Sequence, residues 1–375
     1  MSSDSAFVRA TDAVKAQLRT RLQPVWAVLC TVLAPLDRAI QPVADLYNRS
    51  LGRHFGTMTG LQFGVIALGF GMIATVPFWS PFYSETLNIT FAVASIWAIF
   101  AMSWDIQSGY TGYISFGHSV LSGAAGYTIG LLILHYDPSM GPLVTIPLAV
   151  LASLVLGLVI AVPSLRLRGP YFSLITLVGV LLFTNLIFAF SEWTNGELGI
   201  HQVDPFTYEP WIRYYYMAIP MLVIAVGLTY VARSNVGMVL LTIRENERAV
   251  SSAGLDPTKF KISSFVLSSI PMGIGGALLV YYGRAINPVS FVEISNSIEI
   301  IALAVIGGMG SIIGPLFGSF LFFFLEEELL RDFIEDSSTR TLVLWLFVLG
   351  VLVFARNGVF RVVWHALGAV RGDSE

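Results

Sequence analysis

Charge is what this sequence has least of. Only 12% of its 375 residues are Asp, Glu, Lys or Arg, against about 25% in soluble domains. A chain that is 55% hydrophobic cannot cover itself with a water-facing surface from so few charges. Its 24 acidic and 21 basic residues leave a net charge of −3, which offers neither a basic field for nucleic acid nor an acidic tail for a basic partner. Cysteine is nearly absent: Cys30 alone excludes an intrachain disulfide framework, a Cys-rich zinc site and a CxxC redox pair. His54, His118, His135, His201 and His365 are scattered, with no metal-binding pair at helical spacing. No HExxH or GxSxG motif occurs, which makes an integral membrane enzyme the least expected alternative, and no GxxxxGK(S/T) phosphate loop occurs, which excludes a Walker-type ATPase. These absences leave a membrane protein without an energy source of its own, dependent on a partner or an ion gradient.

A hydrocarbon core about 30 Å thick takes roughly 20 apolar residues per helix. Runs of that kind predict spans at 61–80, 88–105, 112–134, 142–163, 170–190, 211–231, 262–282 and 341–355. A further apolar region, 298–325, is interrupted by Gly307, Gly308 and Gly310 and reads as a broken pair of half-length helices. The expected fold is all-α, a polytopic transmembrane bundle of about eight full spans plus that pair. Basic residues mark the cytoplasmic side. Most fall there if both termini are cytoplasmic: Arg9, Lys15, Arg19, Arg21, Arg38, Arg49 and Arg53 before the first span, then Arg166 and Arg168, the group between 232 and 261, and Arg356, Arg361 and Arg371. The outer loops keep Arg213, Arg284, Arg331 and Arg340 but hold acidic groups at 192–209 and 326–336. The domain plan is an N-terminal extension 1–60, a transmembrane domain 61–356 with a long inner loop at 234–261, and a C-terminal cytoplasmic tail 357–375. Within the extension, Ala10, Val14, Leu18 and Leu22 recur beside basic residues, a pattern shared by a surface-lying amphipathic helix and a disordered leader. The run from Pro24 to Leu36 lacks a cleavage site and is expected to be an interfacial helix of the mature chain.

Three clusters break the apolar rule. The first is Gly109-Tyr110-Thr111-Gly112-Tyr113-Ile114-Ser115-Phe116-Gly117-His118, whose glycines loosen a helix at a depth where irregular backbone must be buried in protein or line a cavity. His118 fits a proton relay or, more often for a lone intramembrane histidine, a hydrogen bonder between helices. Asp105 is expected at a span end, satisfied by solvent or a cap. The second cluster places Gly310, Gly314 and Gly318 on a GxxxGxxxG face, which serves close packing or, with Gly307 and Gly308 before it, a hinge. In the third, 242–254, helix formers run to Gly254 with Pro257 beyond, predicting a short surface helix. Arg244, Glu245, Glu247 and Arg248 there can meet a partner or pair among themselves.

In order and spacing these blocks, with Arg166-Leu-Arg-Gly-Pro-Tyr-Phe-Ser-Leu-Ile-Thr-Leu177 and Thr194-Asn-Gly-Glu-Leu-Gly-Ile200 between them, resemble the permeases of branched-chain amino acid ABC importers, the LivH/LivM type, over 61–356. The resemblance implies a plasma (inner) membrane subunit that pairs with a homologous permease, usually as a heterodimer, over two cytoplasmic ABC ATPases. An extracytoplasmic solute-binding protein delivers the solute. It implies no cofactor on this chain; ATP and Mg belong to the ATPases. Segment 243–254 is similar to the coupling helix of that family, whose Glu-x-Ala-Ala-x-x-x-Gly core stands here as Glu247-Arg248-Ala249-Val250-Ser251-Ser252-Ala253-Gly254. Val250 replaces the common second alanine, and Met238 stands where arginine is frequent. Ser115, Phe116, Gly117, His118, Ser173 and Thr176 are the candidate pathway residues. Gly109, Gly112, Gly307, Gly308, Gly310, Gly314 and Gly318 are candidate hinges or packing positions. Leucine, isoleucine and valine are the expected solutes. A urea or short-amide permease, a secondary transporter using His118, Asp105 or Glu299, and a passive channel are the alternatives.

Overall fold

The computed structural model describes residues 33–372 apart from 84–85, 165–168, 202 and 356–357. The repeat over 10–22, Cys30, Arg166 and Arg168 lie outside the described residues. Helix α1 runs over 33–50, followed by α2 Gly52–Phe55, α3 Gly60–Tyr83 and α4 Thr86–Trp104, which continues as a π-turn Asp105–Gly109. Then come α5 His118–His135, α6 Pro142–Ser164, α7 Pro170–Ala189, α8 Ser191–Thr194, α9 Pro210–Ala232, α10 Asn235–Ser252 and α11 Pro257–Gly283. The remainder are α12 Pro288–Val292, α13 Ile294–Gly307, α14 Ile313–Phe324, α15 Leu330–Phe333, α16 Ser337–Phe354 and α17 Val359–Gly372. Among the described residues the sole extended pairing is an isolated bridge, Ile200 with Ile286.

Starts of these helices follow local chemistry. Proline opens α6, α7, α9, α11 and α12, where its missing N–H costs nothing and its fixed φ suits the first turn. Asp256, Asn287 and Asp336 accept N–H groups of the turns they precede, which satisfies otherwise unpaired donors. At Asp336 the Thr339 hydroxyl and N–H hold the carboxyl below the usual carboxylate range. A carboxyl depressed in the folded state stabilises above its unfolded pKa, and that contribution is lost as pH falls through the folded value. Asp336→Asn keeps a capping oxygen but cannot titrate, so thermal unfolding of this variant is expected to show a weaker acid-side loss than the wild type.

Eight described helices are long and apolar enough to cross a membrane, and the chain is a polytopic helical membrane protein. Helix α4 is 78% buried within its span, against 17–22% for α3, α6, α7 and α16; α4 and α11 therefore form the centre and the others the apolar exterior. Helix α5, expected from 112, begins only at His118, because Gly112 sits at φ +76 and 112–117 is held as loop. Its composition is too small and polar to count among the eight, yet most of it is buried: a helix shielded by its neighbours does not need a lipid-like surface. Small residues make that shielding close. A Cβ on Gly276 of α11 would lie 2.5 Å from the Ser122 backbone of α5, and one on Gly273 2.9 Å from Ser153 of α6.

The 298–325 region is the expected broken pair, with longer arms. Pro288–Gly307 has the length of a crossing, bent at Glu293, and α14 continues through a π-turn Leu325–Leu329 into α15. The arms pack antiparallel, since a Cβ on Gly318 would meet the Leu303 carbonyl at 2.4 Å. Gly310 is not on that face as expected. It precedes α14, in the loop, at φ +77, where a left-handed turn rather than packing requires glycine. The segment expected as a C-terminal tail contains α17, docked on the hairpin by Phe360 stacked on Phe317.

Candidate functional site

The inner loop does not hold the single short helix expected at 243–254. Helix α10 begins at Asn235, capped by Ser234, and is broken at Asn246, whose φ of −155 and ψ of 94 are extended. The Asn246 side-chain oxygen accepts the N–H groups of Arg248 and Ala249 at 3.1 and 3.2 Å, so this side chain caps a second helical turn that starts at Glu247. Gly254, at φ +82, ends it in the left-handed conformation. Leu240, Ile243 and Val250 are buried, while Arg244, Glu245, Arg248 and Ala249 are exposed. Val250 fills core space that a smaller alanine would leave open.

Glu247 ties this turn to the bundle. Its Oε1 lies 3.0 Å from Lys261 Nζ at the start of α11, and its Oε2 accepts the Tyr113 hydroxyl at 2.6 Å. Lys261 Nζ also sits 4.3 Å from the centre of the Tyr113 ring. Lys261 is 2% exposed and Glu247 25%, so the ammonium is nearly desolvated and relies on this carboxylate and ring. Beside them Arg244 donates to the Gly109 carbonyl at 2.7 Å. A cleft of ≈570 Å³ opens here, walled by Thr111, Tyr113, Ser173, Arg244, Glu245 and Glu247.

Loop 112–117 is pinned by α4 on one side and α7 on the other. Trp104 Nε1 donates to the Ser115 carbonyl at 2.8 Å, Ser173 Oγ to the Ile114 carbonyl at 2.6 Å, and the Phe116 N–H to Thr176 Oγ1 at 3.1 Å. His118 joins Ser115 Oγ at 3.1 Å and Ser268 Oγ at 3.4 Å and is fully buried. Ser115, Phe116, Gly117, His118, Ser173 and Thr176 are thus brought together, with Ser115, Gly117, His118 and Thr176 buried and Phe116 and Ser173 half-buried. A Cβ on Gly117 would lie 3.0 Å from the Thr176 carbonyl, and one on Gly112 3.0 Å from Arg244 Cγ.

The roles of three residues escaped the sequence reading. Asp105, expected at a span end, is fully buried and caps the hairpin loop, accepting the N–H groups of Gly310 at 2.6 Å and Ser311 at 3.0 Å. The signal was there: it is the sole carboxylate in an apolar run, where an ionisable group needs a partner. Lys261 and Tyr113 carried no such mark, the first looking like one more inner-loop cation and the second like one aromatic among many. Glu299 lies on α13, partly exposed, and does not join this constellation.

The family described as branched-chain amino acid transport system / permease component matches residues 86–356. The chain belongs to this permease family. The high-affinity branched-chain amino acid transport system permease protein LivM of Salmonella typhimurium is 28% identical over 307 residues, 73% of this chain and 67% of its own length. That of Escherichia coli is 27% identical over the same shares. The permease protein BraD of Pseudomonas aeruginosa is 24% identical over 74% of this chain and 95% of its own length. No solved structure matches. The matched region of the permease contains the whole Tyr113–Glu247–Lys261 constellation, whereas α1 and α17 lie outside it.

Proposed function

We propose that this permease is the membrane subunit of an ATP-driven ABC importer, building with a homologous permease a pathway for leucine, isoleucine and valine. Two cytoplasmic ATPases supply the energy and an extracytoplasmic binding protein the solute. The observation that carries this reading is the capped turn at 247–252: its outer face is exposed and charged, and its inner face is tied through Glu247 to both Lys261 and Tyr113. Such a turn is a lever, since a push on Arg248 and Ala249 reaches α11 and the 112–117 loop through a charge-assisted contact rather than a slack linker. The chain lacks a phosphate loop, so ATP binding and hydrolysis fall to the ATPases, which on closing move the lever and tilt the bundle. In this reading both termini are cytoplasmic in the inner membrane, and the acidic loops 191–210 and 326–340 face the binding protein.

The turn itself gives the test. Ala249→Arg adds bulk and charge to an exposed position without touching the Glu247 contacts. The expected result is unchanged folding with loss of the co-purifying ATPases and of uptake. Labelled leucine uptake by the wild-type complex should be competed by isoleucine and valine and not by urea. Retained ATPase binding and uptake in Ala249→Arg would argue against the lever, and competition by urea against the assigned solutes.

A further inference from the structure

A second set of contacts converges on Gly310, from three separate elements. The Asp105 carboxylate, at the π-turn that ends α4, holds the Gly310 and Ser311 N–H groups. Arg361, on α17, donates to the Gly310 carbonyl at 2.9 Å. Arg244, from the segment just before the Asn246 kink, donates to the Gly109 carbonyl, and its Nη1 would lie 2.9 Å from a Cβ on Gly310. Both guanidiniums interact electrostatically with Asp105. The approach of α17 is itself close: a Cβ on Gly358 would lie 2.2 Å from Gly308 Cα. Phe360 then stacks on Phe317, and the Trp364 carbonyl accepts from Gln62 Nε2 of α3.

The loop between α13 and α14 is thereby clasped between the coupling segment and the C-terminal helix, with a buried carboxylate as the shared anchor. A buried carboxylate needs its N–H donors and neighbouring positive charge, so a shift of the loop strains its Arg361 hydrogen bond directly and reaches Arg244 through Asp105 and Gly109. We infer that the Gly310 junction is a second transmission point between the 247–252 lever and the α13–α14 hairpin, and that Arg361 is a positioning residue that keeps the hairpin in step with it. This inference rests on the importer reading above.

Its test is the ratio of leucine taken up to ATP hydrolysed by the reconstituted complex. Arg361→Ala removes one charge-assisted hydrogen bond to the loop, and the expected result is a fall in that ratio of about tenfold, with ATP hydrolysis retained. Arg361→Lys restores a cation at the same place and should recover most of it. If Arg361→Ala fails to assemble, Arg361→Gln, which keeps an N–H donor without the charge, is read in the same way. A wild-type ratio in the alanine or glutamine variant would overturn the inference while leaving the importer reading intact. So would a proportional loss of hydrolysis and uptake that lysine does not rescue. Uptake by the wild type that needs no ATP would overturn both.

Discussion

Glu247→Ala is expected to destabilise the permease by about 3 kcal/mol, the low end for breaking one side of a buried ion pair, and to abolish ATP-coupled uptake. The low end applies because Glu247 is 25% exposed, while Lys261 is only 2% exposed. Without the carboxylate the ammonium keeps the Tyr113 ring and hydroxyl, but neither neutralises it, so much of the cost is a stranded charge rather than a lost attraction. Glu247→Gln retains oxygen and N–H groups toward Tyr113 and Lys261, and is expected to cost about half as much. The exchange Glu247→Lys with Lys261→Glu puts both signs back within reach and should recover part of the loss. Thermal unfolding of the purified chain measures the first effect and uptake by the complete complex the second. A stability within about 0.5 kcal/mol of wild type in Glu247→Ala would place this pair among the weak surface contacts.

A methyl group at Gly307 is expected to be nearly as damaging. Its Cβ would lie 1.9 Å from the Gly314 carbonyl oxygen and 2.6 Å from Pro315 N. Both are backbone atoms, which cannot swing aside as a side chain can, so the arms of the hairpin must separate. Close approach of helices is what holds them in lipid, where the hydrophobic drive between helices is missing, and overpacking of this kind costs about 1–3 kcal/mol. Gly307→Ala should therefore lower the unfolding temperature and reduce uptake. Gly350→Ala is the control. Gly350 lies inside α16 with nothing within 4 Å of its Cβ position, so alanine there should be neutral or stabilising by up to about 1 kcal/mol through helix propensity. Equal effects at the two positions would mean that the hairpin is not packed as described.

Legibility in the sequence followed the range of the interaction. Spans are readable because a helix in lipid announces itself by its own apolar length, and the starts at Pro142, Pro170 and Pro210 fall within a residue of the expected ones, whereas the apolar runs begin five and ten residues after the starts at Pro257 and Pro288. Helix α5 was misplaced by six residues: its start depends on the loop 112–117 being pinned by Trp104, Ser173 and Thr176, bonds made in three dimensions. The glycine cluster at 307–318 was recognised, but not that Gly310 turns while Gly307, Gly314 and Gly318 pack. The Asp105 anchor was the least readable, as its partners lie 205 and 206 positions away. The 242–254 segment is legible from its helix formers, Gly254 and Pro257, and only its proposed coupling role comes from the family resemblance; its kink is not legible, because Asn246 reads as an ordinary helix-surface residue until its own side chain is seen capping the following turn.

Leucine uptake into proteoliposomes tests the central claim most directly, comparing this chain alone with the complex of both permeases, both ATPases and the binding protein. The account predicts uptake only from the complete complex, only with ATP, and lost in Glu247→Ala. Movement of leucine by this chain alone without nucleotide would contradict it and make the protein a channel or a secondary transporter.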